Sequence, residues 1–214
     1  MVLKLYGSAY STCTRRVALV LHEKQVPFEF CPIALEKGEH KREEFVAKQP
    51  FGQVPYIDDD GFILYESRAI AYYVAKKWEH QGTPLIPTEL KANAIFQQAA
   101  SVELAHFNQY VEKAVIEMVF KPLSGTAGDP EIFKALIKSL SEDLDVYDRI
   151  LSKQKYVAGD EITLADLYHI PYGSMLPEAG SLIMDEKPNV KRWFDNLSAR
   201  PSWQAVKGEV KSTA

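Results

Sequence analysis

A serine and a cysteine stand two residues apart, Ser11 and Cys13, in the polar stretch Ser8-Ala9-Tyr10-Ser11-Thr12-Cys13. Helical spacing of Val17, Ala18, Val20 and Leu21 follows directly, so both side chains lie close to a helix N-terminus. There a hydroxyl can cap the helix or donate a hydrogen bond to an anion, and a thiol can gain nucleophilicity. No serine-hydrolase motif surrounds Ser11. A second chemistry-bearing set is Gln49-Pro50-Phe51-Gly52-Gln53-Val54-Pro55-Tyr56-Ile57, closed by Glu66-Ser67-Arg68-Ala69-Ile70. Pro55 lacks an N–H for a strand ladder, so it belongs at an edge or a turn, and its peptide bond is a candidate for the cis form. A cis Val54–Pro55 bond would present the Val54 N–H and C=O to an extended peptide alongside. Ser67, where a helix should begin, offers a hydroxyl, an N–H and the helix dipole to a carboxylate. Taken singly, Gly-Gln-Val-Pro is a turn and each serine is a cap, and the residues alone leave both readings open.

The elements that must position these groups alternate. Val2 to Tyr6 alternates apolar and polar and stops at Gly7, which predicts a strand. A helix from Thr14 to Lys24 ends at Gln25-Val26-Pro27, and Phe28 to Ile33 reads as a second strand. Leu35 to Lys48 is charged and irregular, with one short helix around Glu43-Glu44-Phe45. Val54 to Ile57 and Phe62-Ile63-Leu64 flank the turn Asp58-Asp59-Asp60-Gly61 as a hairpin, and a helix runs from about Ser67 to Trp78. The first β-α-β requires parallel strands around a crossover helix, whereas the last two strands are antiparallel. A small mixed sheet flanked by helices, a thioredoxin-like unit, follows.

Gln81 to Thr88 is rich in turn residues and marks a boundary: a domain over 1–82, a linker over 83–88 and a second domain over 89–214. Beyond it no strand pattern is convincing. Glu89 to Pro122 is helical, in two pieces or bent near Phe107-Asn108, and Ser124 to Pro130 breaks it. Pro130 to Leu151 carries Phe133, Leu136, Ile137, Leu140, Leu144 and Tyr147 on one face. Thr163-Leu164-Ala165-Asp166 reads as a capping box, flanked by Ile162 and Leu167 as a hydrophobic staple, so Asp166 is structural. Trp193, Phe194 and Trp203 read as packing aromatics.

With 46% hydrophobic residues among 214, the chain can bury an ordinary core. A net charge of −4 without a long basic run argues against nucleic acid. No apolar run approaches the ~18–20 residues of a membrane span. Met1-Val2-Leu3-Lys4-Leu5-Tyr6 lacks the pattern of a signal peptide. Two cysteines, Cys13 and Cys31, without framework spacing suggest a reducing compartment, the cytoplasm, and no Cys/His cluster has the spacing of a zinc site. Cys31, on a strand, is expected to be buried and inert.

Ser11-Thr12-Cys13-Thr14-Arg15-Arg16-Val17, Gly38-Glu39-His40-Lys41, Pro50-Phe51-Gly52-Gln53-Val54-Pro55 and Glu66-Ser67-Arg68-Ala69-Ile70, in this order and spacing, resemble the phi class of glutathione S-transferases. The resemblance covers nearly the whole chain and implies a thioredoxin-like glutathione-binding domain followed by an all-α domain, in a homodimer. It implies glutathione as co-substrate, no metal, and Ser11 as the hydroxyl that stabilises the glutathione thiolate. His40 and Lys41, with Gln53 assisting, would hold the glycine carboxylate, although both also fit a solvated charge run from Glu36 to Glu44. Val54, beside Pro55, would pair with the cysteinyl backbone, and Glu66 and Ser67 would meet the γ-glutamyl ammonium and carboxylate. Tyr10, Leu35, Ile116 and Phe120 are candidates for an apolar acceptor site, with ordinary helix core as the alternative for the last two. Phe51, a large aromatic in a turn, would key into a partner subunit. The implied activity is conjugation of glutathione to hydrophobic electrophiles, with peroxide reduction at the same site. A non-catalytic carrier of aromatic ligands is the alternative, and the serine at position 11 disfavours a thiol transferase.

Overall fold

A computed structural model of the chain describes residues 2–214; Met1, which opens the expected first domain, lies outside them. The chain divides into two compact units, Met1–Ile86 with Arg200–Ala214, and Pro87–Ala199.

The first unit is built on strands β1 (Leu3–Gly7), β2 (Phe28–Pro32), β3 (Tyr56–Asp59) and β4 (Phe62–Tyr65), in the order β2-β1-β3-β4. β1 and β2 are parallel, and β1–β3 and β3–β4 are antiparallel. Alternation along β1 buries Leu3, Leu5 and Gly7 and exposes Lys4, as a pleated strand with one covered face requires. Helices α1 (Thr12–Glu23) and α3 (Ser67–Lys77) pack on each other, and Val17, Val20, Leu21, Ile70 and Val74 are buried in this unit. The irregular stretch holds two 3₁₀ turns, Leu35–Lys37 and Glu39–Lys41, and the short helix α2 (Glu43–Val46). α3 starts at Ser67 as expected, with Glu66 and not Ser67 in the capping position. One detail differs from expectation. Cys31 is half-buried, with its thiol pKa raised by burial and by the nearby Glu29 carboxylate.

Residues 200–214, expected in the second domain, belong to the first unit. The reason is a buried carboxylate. Glu23 accepts two hydrogen bonds from Arg200, Nε at 2.6 Å and Nη2 at 2.8 Å, and further ones from the hydroxyls of Thr83 and Ser202. Helix α10 (Pro201–Val206) thereby packs on α1.

The second unit is helical. Its first run is continuous from Leu90 to Leu123: α4 (Leu90–Val102), a π-helical stretch Glu103–Asn108, α5 (Gln109–Val115), a second π-helical stretch Ile116–Phe120, and α6 (Lys121–Leu123). The bend expected near Phe107-Asn108 is thus a local widening of the helix, a common site of distortion without a break. α7 (Pro130–Leu151) starts at Asp129, whose carboxylate accepts the Glu131 and Ile132 N–H groups. α8 (Leu164–Gly173) is buried along its whole length, and α9 (Pro188–Ser198) carries Trp193 into the core. Asp166 accepts the Thr163 N–H at 2.9 Å, the Val157 N–H at 2.9 Å and the Trp193 indole N–H at 3.0 Å. Burial raises its pKa against the pull of these donors. No described helix is long and apolar enough to cross a membrane.

Candidate active site

Strand register gathers the candidate residues. Tyr6 of β1 stands opposite Tyr56 of β3, which stands opposite Tyr65 of β4. The chain after Tyr6, the chain before Tyr56 and the chain after Tyr65 therefore meet at one end of the sheet. Those three segments carry Ser11, Val54–Pro55 and Glu66–Ser67.

At that end β1 closes tightly on α1. A Cβ on Gly7 would lie 2.5 Å from the Thr14 hydroxyl oxygen, so only glycine permits the approach. Ser11 caps α1 in an extended conformation, and its Oγ accepts the Thr14 N–H at 3.3 Å. With an N–H occupying one lone pair, the hydroxyl proton remains for an acceptor outside the helix. The first turn of α1 holds no acidic residue, so nothing in it offsets the positive end of the dipole. Cys13, two residues on, is half-buried and accepts from the Arg16 guanidinium at 3.6 Å.

Arg16 is a site residue that the sequence does not single out. Its side chain is fully buried, and its Nη1 donates to the Ser67 Oγ at 2.8 Å. It thus ties α1 to the first turn of α3 and fixes the Ser67 hydroxyl. Its neighbour in sequence, Arg15, gives no hint which of the two turns inward; only the angular position on the helix decides it. Before Ser67, Glu66 has φ +69° and ψ 110°, a rare conformation for a residue with a Cβ, and its side chain is exposed. Backbone of this kind concentrates at functional sites.

The Val54–Pro55 peptide bond is cis, and the ladder with β1 begins only at Tyr56, so Val54 lies outside the sheet pairing. The turn before it is held from two sides. Gln49, buried and also unanticipated, accepts the Gln53 N–H at 3.1 Å through its side chain, while the Gln53 side chain is exposed. The Lys41 ammonium donates to the Gly52 carbonyl at 2.8 Å and to the Phe51 carbonyl at 3.4 Å. Gly52 has φ +59°, and an added Cβ would meet the His40 carbonyl at 2.9 Å and the Lys41 side chain at 3.0 Å. Lys41 therefore braces this turn, a role the sequence did not announce. Among the described residues the buried Nδ1 of His40 has no partner, and burial and the Lys41 charge lower its pKa, favouring the neutral ring.

Tyr10 and Leu35 are exposed in the first unit. Ile116 and Phe120 are both half-buried at the two ends of the second π-helical stretch in the second unit. Phe51 is 66% exposed, and its ring meets Tyr65 edge-on at 6.1 Å. Most of the ring lies open to solvent.

Residues 1–76 match the family model of the glutathione S-transferase N-terminal domain, and residues 110–201 match that of the C-terminal domain. Glutathione S-transferase hmp2 of Hypomyces subiculosus is 43% identical over 99% of this chain and 100% of its own length. The crystal structure of glutathione transferase F7 from Populus trichocarpa superposes with a TM-score of 0.93 at 41% identity, over 97% of this chain and 98% of its own. The chain belongs to the glutathione S-transferase family, phi class. The thioredoxin-like sheet and the helical unit of this transferase are the family's fold. Glutathione S-transferase I from maize in complex with an atrazine glutathione conjugate superposes on the transferase with a TM-score of 0.87 at 32% identity, over 97% of each chain.

Proposed function

We propose that Ser11 activates glutathione for attack on hydrophobic electrophiles. A free thiol has a pKa of roughly 8.5, and lowering it by ~2 units takes ~2.7 kcal/mol of selective anion stabilisation. The Ser11 hydroxyl, with its oxygen engaged by the Thr14 N–H, supports this reading above any other observation, and it stands at a helix N-terminus whose first turn lacks an acidic residue. The hydroxyl donates to sulfur and forms no covalent intermediate. In conjugation the thiolate forms a carbon–sulfur bond, the leaving group departs with the bonding pair, and the thiol proton passes to solvent. In peroxide reduction two glutathiones are oxidised to the disulfide while a hydroperoxide becomes an alcohol and water.

The remaining groups of the tripeptide meet the residues gathered at the sheet end. Ser67 takes the γ-glutamyl carboxylate, with the α3 N-terminus behind it, and Glu66 faces the ammonium. Val54, beside Pro55, pairs with the cysteinyl backbone. His40 and Gln53 take the glycine carboxylate; Lys41 contributes its charge and keeps the turn in place. Tyr10, Leu35, Ile116 and Phe120 serve an apolar acceptor. The maize relative bound to an atrazine conjugate supports an acceptor of this apolar kind. Phe51, exposed beside the turn, anchors a homodimer against the partner subunit's helix at the position of residues 92–107. The enzyme works in the cytoplasm, where both cysteines stay reduced.

Parallel assays with an aryl halide, an organic hydroperoxide and hydroxyethyl disulfide test the reading. Conjugation with weak disulfide exchange is the expected pattern. Binding of aromatic ligands without turnover of any of the three would make the protein a carrier, and dominant disulfide exchange would make it a thiol transferase.

A further inference from the structure

The segment that follows α10 runs back to the loop that carries Ser11. The Val210 N–H donates to the Ala9 carbonyl at 3.2 Å, and the Arg15 Nη2 donates to the Gly208 carbonyl at 2.8 Å. These two grips fall two residues before Ser11 and four residues after it. Between them the loop is closed by the Ser11 N–H donating to the Ser8 carbonyl at 3.1 Å, and by the Arg15 N–H donating to the Ser11 carbonyl at 2.9 Å. Val210 is 2% exposed, so the crossing is packed as well as hydrogen-bonded.

The segment is anchored on both sides of this crossing. Upstream, the Arg200 and Ser202 bonds to Glu23 hold α10 on α1. Downstream, it lies along β2, one of the two outer strands of the sheet. The Phe28 N–H donates to the Thr213 hydroxyl at 3.1 Å, and the Phe30 N–H donates to the Ser212 hydroxyl at 2.8 Å. The Phe28 carbonyl accepts the Thr213 and Ala214 N–H groups at 3.0 and 3.2 Å. Covering an exposed sheet edge accounts for the outer anchor. It does not account for the two grips on the Ser11 loop, which lie away from that edge.

We infer that residues 208–214 form a strap that positions the Ser11 loop, with Val210 and Arg15 as positioning residues that act on the glutathione thiol through Ser11. The inference rests on the proposed role of Ser11. A donor stabilises a developing anion only when its position is fixed beforehand. Ser8, Ala9 and Ser11 are only half-buried and Tyr10 is exposed, so the loop has little packing of its own to fix it, and the strap supplies the constraint from outside. It therefore governs the acidity of the bound thiol and leaves the grip on the rest of the peptide alone.

The test compares the wild type, a chain ended after Lys207, and the full-length variants Arg15→Leu, Arg15→Lys and Ser11→Ala. Two quantities are read: amide hydrogen exchange at Tyr10, Ser11 and Thr12, and the pKa of enzyme-bound glutathione from the ultraviolet absorbance of its thiolate. In the shortened chain and in Arg15→Leu, exchange should rise, and the thiol pKa should rise by about one unit, which is about tenfold less thiolate at a pH below it. The KM for glutathione should stay within about twofold of wild type, on the scale where tenfold is about 1.4 kcal/mol. Arg15→Lys keeps a donor for the Gly208 carbonyl and should stay close to wild type. Should the shortened chain fail to fold, Arg15→Leu decides alone. Faster exchange with an unchanged thiol pKa, while Ser11→Ala does raise it, would make the strap a structural tie and overturn the inference. So would unchanged exchange. If Ser11→Ala itself leaves the thiol pKa at the wild-type value, the fault lies in the assignment of Ser11, and the strap falls with it.

Discussion

Replacing Glu23 by glutamine should destabilise the first unit by ~2–3 kcal/mol. The Glu23 carboxylate is 3% exposed and receives Arg200 through two parallel bonds, with Thr83 and Ser202 as further donors. A charge-assisted bond is worth ~1.5–3 kcal/mol. Arg200 is 25% exposed, so each of its bonds belongs at the lower end. Glutamine keeps one accepting oxygen but turns an NH₂ group toward donors, losing at least one arginine bond and forcing a hydroxyl to rotate. Amide exchange across α1 in rising urea reports this unit separately from the other. With a slope of ~1–3 kcal/mol per molar, the midpoint should fall by about 1 M. The pH dependence has a definite sign. Burial pushes the Glu23 pKa up, but the hydrogen bonds from Arg200, Ser202 and Thr83 and the Arg200 charge outweigh it, and the net shift is downward. Its stabilisation is therefore complete above the unfolded glutamate value of ~4.3 and disappears as pH falls through the lower folded value. Glutamine should remove that acid-side loss. A midpoint unchanged at neutral pH, or an unaltered acid limb, would mean that the Glu23 carboxylate does not hold this unit together.

Ser67→Ala should weaken glutathione binding by ~1.5–3 kcal/mol, the value of one hydrogen bond to a carboxylate, while saturating glutathione restores most of the turnover; calorimetry beside steady-state kinetics checks the split, and lost turnover at unchanged affinity would count against it. Phe51→Ala should cost ~2–4 kcal/mol per interface anchor, with dimer loss and weaker glutathione binding appearing together. Sedimentation at micromolar concentration decides it, since an intact dimer with unchanged affinity removes Phe51 from both roles.

What could be read from the sequence was local. The β-α-β-β-α order, the cis candidate at Val54–Pro55 and the helix start at Ser67 follow from alternation, turn chemistry and capping within a few residues. Once the strands pair, register alone carries Ser11, Val54 and Ser67 to one sheet end. What escaped depends on contacts between distant residues. Glu23 and Arg200 are 177 residues apart, and neither advertises the other, so the sequence joins residues 200–214 to the second domain, whereas their contacts group them with the first unit. Arg16 is charged, and charge suggests solvent; its buried place comes from its partner at Ser67, while the exposed Lys41 reaches the Gly52 carbonyl with its ammonium. The π-helical stretches at Glu103–Asn108 and Ile116–Phe120 keep an apolar pattern close to that of an ordinary helix, so the first registered only as a bend and the second not at all.

The central claim is that the Ser11 hydroxyl stabilises the glutathione thiolate, and the pKa of the bound thiol in Ser11→Ala tests it most directly. In that variant the thiol pKa should climb back toward the free value of ~8.5. Turnover should fall by ~10²-fold or more while glutathione still binds. A bound thiol as acidic as in the wild type, with turnover intact, would contradict it.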